Sequence, residues 1–129
     1  EVHAATDVTG FGFLGHLHEM MGDRLACCID AKAVPVLPGA WEAAEGFLYT
    51  AAGQRNRNHT GPFVQFEKVP FAMEEILFDP QTSGGLLLAA APQDAAALEA
   101  ELQAAGLPAA IVGEICKKDE NMTEIAVTY

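Results

Sequence analysis

The sequence predicts an α+β domain, in which helices pack against a mixed β-sheet. Two observations indicate this class. The chain has 129 residues, half of them apolar, which is enough for one domain with a hydrophobic core. Short apolar runs of strand length alternate along the chain with segments of helical periodicity. No apolar run reaches the roughly 18 residues of a membrane-spanning helix. We therefore expect a single domain over residues 1–129, without a membrane span.

The first third of the chain predicts a helix, a strand and a second helix. Apolar residues at helical spacing place the first helix at about Phe11–Met21, with Asp7 or Thr9 as its capping candidate. The short apolar run Leu25–Ile29 predicts a strand. A further helix is expected over Trp41–Phe47, with both of these aromatic side chains in the core.

The middle of the chain is predicted to begin with a loop. Gly53–Pro62 has no apolar periodicity and is rich in Gly, Asn and Arg. Alternation from Val64 to Lys68 then predicts a strand, and a short helix is expected at about Phe71–Leu77. Asp79 and Pro80 together indicate a turn.

The last third predicts a βαβ-like unit followed by one more strand. The expected helix is Gln93–Ala105, with Leu98 and Leu102 packed on the sheet. The polar segment Lys117–Asn121 is expected to join the last two strands as a hairpin. The predicted strands are Leu86–Ala90, which should be fully buried, Ile111–Cys116 and Thr123–Thr128.

The charge and the cysteine content of the chain limit the kinds of partner and chemistry that it can have. Seven Lys and Arg against 18 Asp and Glu give a net charge of −11, which disfavours nucleic acid as a partner. Such a chain can still bind a nucleotide if Mg²⁺ bridges carboxylates and phosphates. Cys27, Cys28 and Cys116 lack a zinc-binding spacing. They predict buried thiols in a reducing, cytoplasmic setting, with a catalytic cysteine left open.

Ala5–His16 is the first of three segments whose residues suggest chemistry. Its glycines stand at the entry to a predicted helix, where backbone amides can approach an anion. Asp7 follows a short β-like stretch and is a candidate metal ligand. The alternative is that Asp7 only caps the helix and that the glycines permit close packing.

The other two segments are Asp79–Gly85 and Gly53–Asn58. The first, DPQTSGG, offers hydroxyls and a flexible backbone, which suits either a phosphate contact or a tight turn before a strand. The second, GQRNRN, places Arg55 and Arg57 in one predicted loop. That concentration of charge indicates either an anionic partner or merely a solvated loop.

His16 and His18 are not expected to share a metal ion. Residues two apart on a helix point to different faces. His16 and Glu19, three apart, are instead expected to form a hydrogen bond.

Four segments of the chain together resemble one enzyme family. They are ATDVTGFGFLGHLHEM (Ala5–Met20), VPVLPGA (Val34–Ala40), GQRNRN (Gly53–Asn58) and LFDPQTSGGLLLAA (Leu77–Ala90). The sequence resembles the C-terminal domain of the selenophosphate synthetases, or selenide, water dikinases. These belong to the wider aminoimidazole ribonucleotide synthetase-like group, whose C-terminal domain fold is therefore implied here.

The resemblance implies conversion of ATP, selenide and water into selenophosphate, AMP and phosphate by a Mg²⁺-dependent homodimer. In that family the reactive Cys or selenocysteine, the essential Lys and most ATP contacts lie in an N-terminal domain, which this sequence does not contain. The chain is therefore expected to be an inactive fragment without catalytic residues of its own. The opening Glu1, beside a dense motif, agrees with this expectation.

Residue by residue, the resemblance implies one metal ligand, Asp7, and a set of ATP-site residues. That set is Thr9, Gly10, Arg55, Asn56, Thr82, Ser83, Gly84 and Gly85. Two alternatives stay open. The chain could belong to another ATP-dependent member of the group, or be a standalone, non-catalytic domain that binds a nucleotide or a partner.

Overall fold

The chain forms two sheets and five helices, which confirms the predicted α+β class. The computed structural model describes all 129 residues. The strands are β1 (Val2–Asp7), β2 (Leu25–Asp30), β3 (Val64–Glu67), β4 (Leu86–Ala90), β5 (Gly113–Lys117) and β6 (Ile125–Thr128). The helices are α1 (Gly12–Met21), α2 (Ala40–Glu45), α3 (Ala51–Thr60), α4 (Phe71–Phe78) and α5 (Pro92–Ala104), and a 3-10 turn covers Gly61–Phe63. None of the helices combines the length and apolar character needed to cross a bilayer.

The larger sheet carries the core on one face. Its strand order is β3-β6-β2-β5, with β6 parallel to β2 and β3, and β5 antiparallel to β2. Side chains alternate between faces along a strand, so Cys27 and Ile29 are buried while Cys28 and Asp30 are exposed. Eleven buried residues, mainly from this face, α1 and α4, form the core: Leu14, Leu17, Met21, Cys27, Ile29, Ala31, Met73, Leu77, Phe78, Ile125 and Val127.

The smaller sheet consists of β1 and β4 alone, paired antiparallel. Thr6 lies opposite Leu87, and Asp7 lies opposite Leu86. The prediction that the β4 strand is fully buried is wrong, since Leu86 is 71% exposed and its neighbours are half-buried. This ribbon brings two distant parts of the sequence together at one end.

Two predictions of strand pairing are wrong. β4 and β5 belong to different sheets, so no βαβ unit joins them, and β5 and β6 flank β2 on opposite sides instead of forming a hairpin. The α5 helix is present, but it has no buried residue, and Leu98 and Leu102 are only half-buried. Local alternation identifies a strand, whereas its partner depends on contacts that alternation does not specify.

The predicted loop at Gly53–Pro62 is instead the α3 helix. The Thr50 hydroxyl caps it by accepting a hydrogen bond from the Gly53 N–H at 2.9 Å. The helix has almost no apolar stripe, and polar contacts with α4 hold it in place. Arg57 donates to Glu74 at 2.9 Å and also pairs with Glu75. Sequence periodicity failed here because these contacts replace the usual apolar face.

Predictions about individual side chains had mixed outcomes. Trp41 packs against the core as expected. Phe47 is 75% exposed and adopts a left-handed backbone conformation (φ 60°), so its predicted place in the core is wrong. Of the three thiols only that of Cys27 is buried; Cys28 and Cys116 are exposed.

Candidate functional site

The ends of β1 and β4 bring the two most distinctive motifs side by side. Beyond the ribbon, the Val8 N–H donates to the Gly85 carbonyl at 2.9 Å, and the Gly84 N–H donates to the Val8 carbonyl at 3.2 Å. The Gln81 N–H then donates to the Thr9 carbonyl at 3.0 Å. The segments TDVTG and QTSGG therefore run antiparallel, joined by backbone hydrogen bonds.

This close approach explains the two glycines that end the second segment. A Cβ at Gly84 would lie 2.5 Å from the Val8 carbonyl oxygen, which is closer than such atoms can approach. Gly85 has φ +77°, a left-handed conformation that favours glycine. Residues Thr82 to Gly85 are all exposed. The segment thus bends at Thr82 and Ser83 before it enters β4, and its hydroxyl-bearing residues are exposed to solvent.

Asp7 is an exposed carboxylate without a partner in this chain. Its side chain takes part in no hydrogen bond or ion pair. It does not cap α1, because the N-cap position is Phe11 and no side chain caps that helix. The capping interpretation of Asp7 is therefore wrong. Thr9, the other capping candidate, contacts His16 instead.

The residues present fit Mg²⁺ only as part of a larger ligand set. No group of three or more His, Cys, Asp or Glu side chains converges to hold an ion. Mg²⁺ commonly binds through one or two carboxylates, several waters and substrate phosphates. A single free carboxylate such as that of Asp7 suits this mode of binding.

The loop between β1 and α1 is held from inside the domain. The Gly10 carbonyl accepts a hydrogen bond from Asn56 Nδ2 at 2.9 Å, and Nδ2 also donates to the Phe78 carbonyl at 2.9 Å. The Phe11 and Gly12 N–H groups are engaged within the loop, by His16 and by the Thr9 carbonyl. Gly10 remains exposed, with no atom within 4 Å of its Cβ position. A ligand can approach the backbone of this loop at Gly10.

The two arginines of α3 differ sharply. Arg55 is exposed and forms no ion pair. Arg57 is neutralised by Glu74 and Glu75, and its guanidinium lies 4.9 Å from the ring centroid of Phe78. Arg55 and Arg57 therefore lie in a helix and not in the predicted loop, and Arg55 is the arginine of this segment that has no ion-pair partner.

The resemblance places Asn56 among the ATP-site residues. Its side chain is buried, and its amide joins α3 to the loop at Gly10 and to the end of α4.

Sequence analysis missed Thr50, whose hydroxyl donates to Asp79 Oδ1 at 3.0 Å while it caps α3. An isolated Thr three residues before a glycine is too weak a signal to reveal this role.

The two histidines of α1 have separate environments, as predicted. His16 contacts Thr9. Glu19 Oε2 lies 3.3 Å from His16 Nδ1 but forms no hydrogen bond with it, so the prediction of a His16–Glu19 hydrogen bond is wrong. His18 pairs with the buried Glu124 and stacks on Phe63 at a centroid distance of 4.3 Å.

Burial makes Cys27 a poor nucleophile. Desolvation, followed by the nearby Cys28, Cys116 and Glu124, raises the pKa of the Cys27 thiol to about 12. The thiolate is the reactive form of cysteine. Cys27 therefore stays protonated and unreactive near neutral pH.

The fold and the site together define an α+β domain in which two hydrogen-bonded, glycine-containing segments lie beside a free carboxylate at one end of a small ribbon. The chain belongs to the family described as AIR synthase related protein, C-terminal domain, which matches residues 1–124. This confirms the family resemblance seen in the sequence.

Three curated relatives share one description. The chain is 57% identical over 119 residues to a selenide, water dikinase of Agathobacter rectalis, covering 92% of this chain and 35% of the relative. It is 46% identical over 119 residues to that of Desulfitobacterium hafniense strain Y51 (91% and 34%). It is 43% identical over 133 residues to that of Treponema denticola (98% and 37%). The chain spans about one third of the length of these relatives.

Proposed function

We propose that this chain is the C-terminal domain of a selenide, water dikinase, which forms selenophosphate from ATP, selenide and water and releases AMP and phosphate. One observation carries the proposal most strongly. The TDVTG and QTSGG segments, far apart in sequence, are hydrogen-bonded side by side next to an unpartnered Asp7. The relatives named selenide, water dikinase support the same activity.

In this proposal the domain presents groups to ATP and its metal. Asp7 would hold Mg²⁺, which neutralises charge on the phosphoryl oxygens when it is bound. The exposed backbone at Gly10 and the hydroxyls of Thr82 and Ser83 would face the phosphates, and Arg55 would add a positive charge. Buried Asn56 would hold the Gly10 loop in place. Phosphoryl transfer depends mainly on positioning and charge stabilisation, and these residues are suited to both.

The remaining machinery would come from an N-terminal domain of the same polypeptide. That domain would supply the Cys or selenocysteine nucleophile, the lysine and most contacts with ATP. Near the site Leu86 is 71% exposed and Phe11 is 56% exposed. Large apolar side chains beside a polar motif are typical of a surface that another domain covers. We further propose that the whole enzyme is a cytoplasmic homodimer.

The test compares this chain with the full-length polypeptide. With ATP, selenide and Mg²⁺, ³¹P NMR should show selenophosphate, AMP and phosphate from the full-length protein and no turnover by the 129-residue chain. Selenide-dependent AMP formation by the chain alone would contradict the proposal that an N-terminal domain supplies the catalytic residues. If the full-length protein cleaves ATP only with an acceptor other than selenide, it is a different ATP-dependent member of the group. A native chain of this length that binds nucleotide without turnover would favour a standalone binding domain.

A further inference from the structure

A buried histidine supports the loop that carries Thr9 and Gly10. His16 is only 7% exposed, although it lies on the first helix after that loop. Its Nε2 atom is 3.0 Å from Thr9 Oγ1 and 3.4 Å from the Phe11 backbone nitrogen. Both contacts point from the ring into the loop.

The contact with Phe11 determines which ring nitrogen carries the proton. A backbone N–H can only donate, so Nε2 must accept from Phe11 and must itself be unprotonated. In a neutral imidazole the proton then sits on Nδ1. His16 Nδ1 is buried without a hydrogen-bond partner, and Glu19 Oε2 lies 3.3 Å away. A carboxylate oxygen at that distance favours a protonated Nδ1.

The tautomer in turn fixes the role of the Thr9 hydroxyl. Because Nε2 offers only a lone pair, Thr9 Oγ1 must donate its single proton to the ring. Thr9 Oγ1 is then left with lone pairs alone. It can accept a hydrogen bond from a donor such as a water molecule, but it cannot donate one to a phosphate oxygen.

We infer that His16, as its Nδ1–H tautomer, is a positioning residue that orients the Thr9–Phe11 loop and makes Thr9 Oγ1 a hydrogen-bond acceptor, which would suit a water molecule on a Mg²⁺ ion held at Asp7. The catalytic part of this inference rests on the proposed function. Asn56 holds the Gly10 carbonyl at 2.9 Å, and the Gln81 N–H holds the Thr9 carbonyl at 3.0 Å. His16 completes the set by holding the Phe11 N–H and the Thr9 hydroxyl. A loop fixed in this way is organised before a ligand arrives.

The tautomer can be tested on the 129-residue chain itself. Long-range ¹H–¹⁵N correlation spectra of the imidazole rings at pH 7.5 distinguish the two neutral tautomers and the cation. We expect His16 to show a protonated Nδ1 and an unprotonated Nε2. Spectra that show a proton on Nε2, or a charged ring, would overturn the inference whatever the chain's activity.

The positioning role is tested in the full-length polypeptide. His16→Leu removes the acceptor and should lower kcat by about 10- to 100-fold, the usual range for groups that orient a metal site. The Mg²⁺ concentration needed for half-maximal rate should rise. His16→Gln can return an amide oxygen to the Nε2 position and should restore most of the activity. The control His59→Leu replaces an exposed histidine of α3 and should change neither quantity.

Unchanged kcat and Mg²⁺ dependence in a folded His16→Leu variant would refute the positioning role. If that variant does not fold, Thr9→Val provides the second test, since it removes only the hydroxyl. It should raise the Mg²⁺ requirement, and an unshifted requirement would refute the inference. A wild-type full-length protein without selenide-dependent turnover would instead refute the proposed function, and the tautomer measurement would still decide the structural part.

Discussion

Asp7→Asn separates a metal-binding role from a structural one. The substitution keeps the size of the side chain and removes its charge, which a hard divalent cation prefers. Asp7 is exposed, has no hydrogen-bond partner and does not cap α1. Substitutions at such positions usually change the free energy of unfolding by less than about 0.5 kcal/mol. The domain should therefore unfold at nearly the wild-type temperature.

Activity should respond much more strongly than stability. If Asp7 binds Mg²⁺ beside the phosphates of ATP, the Asn variant of the full-length enzyme should lose at least ~10-fold in rate. This corresponds to about 1.4 kcal/mol or more of transition-state stabilisation. The half-saturating Mg²⁺ concentration should rise, and excess Mg²⁺ or Mn²⁺ should restore part of the rate.

The assay is selenophosphate formation followed by ³¹P NMR over a series of Mg²⁺ concentrations, with thermal unfolding measured on the same samples. Asp23→Asn is the matched control, because Asp23 is also exposed and unpaired but lies in the turn after α1. Wild-type rate and an unshifted Mg²⁺ requirement in Asp7→Asn would refute the metal role. A large loss of stability would refute the description of Asp7 as structurally free.

Three further predictions concern the domain alone. Asn56→Ala leaves two backbone carbonyls without their donor and should lower the free energy of unfolding by about 2–3 kcal/mol in urea titrations. A change near zero would contradict the anchoring role. Gly84→Ala should lower the melting temperature because its Cβ would overlap a carbonyl oxygen. Gly10→Ala should leave the melting temperature nearly unchanged because the space around Gly10 is open. Equal effects of the two substitutions would contradict the packing argument. Cys27, with its pKa raised by burial from an ordinary value of 9.0 to about 12, should resist iodoacetamide at pH 8 while exposed Cys28 reacts. The Cys27 thiol loses its proton at a lower pH in the unfolded chain than in the folded chain. The free energy of unfolding should therefore fall as the pH rises from 9 towards 12. Urea titrations of a Cys27→Ala variant over the same pH range should not show this fall.

The sequence predicted most elements because their signals are local. Helical spacing located α1 and α5, and short apolar runs located β2 and β4 within a residue or two. Predictions failed where tertiary contacts decide the structure. The α3 helix has a polar sequence and depends on its Thr50 cap and on ion pairs with α4. The division into two sheets depends on which strands meet, and alternation alone does not specify this.

For the candidate site too, the sequence shows the residue types but not the tertiary contacts. The glycine-rich segments and the carboxylate at Asp7 are visible in the sequence as residue types out of place in an ordinary core. Their mutual hydrogen bonds are not visible there, because the two segments lie far apart along the chain. Nor does the sequence distinguish Arg55 from Arg57, which have similar neighbours. Only the fold places Glu74 and Glu75 against one of them and leaves the other in solvent.

The pairing of the TDVTG and QTSGG segments at the end of the β1–β4 ribbon fixes their position relative to each other. Asp7 and Gly84 belong to segments that exchange backbone hydrogen bonds through Val8, so neither can shift along the other without breaking those bonds. A two-stranded ribbon is only marginally stable by itself and leaves both outer edges unpaired. Because these hydrogen bonds fix the register of the two segments, a surface that docks on one edge would meet the carboxylate and the hydroxyl-bearing bend at a spacing that this chain alone sets.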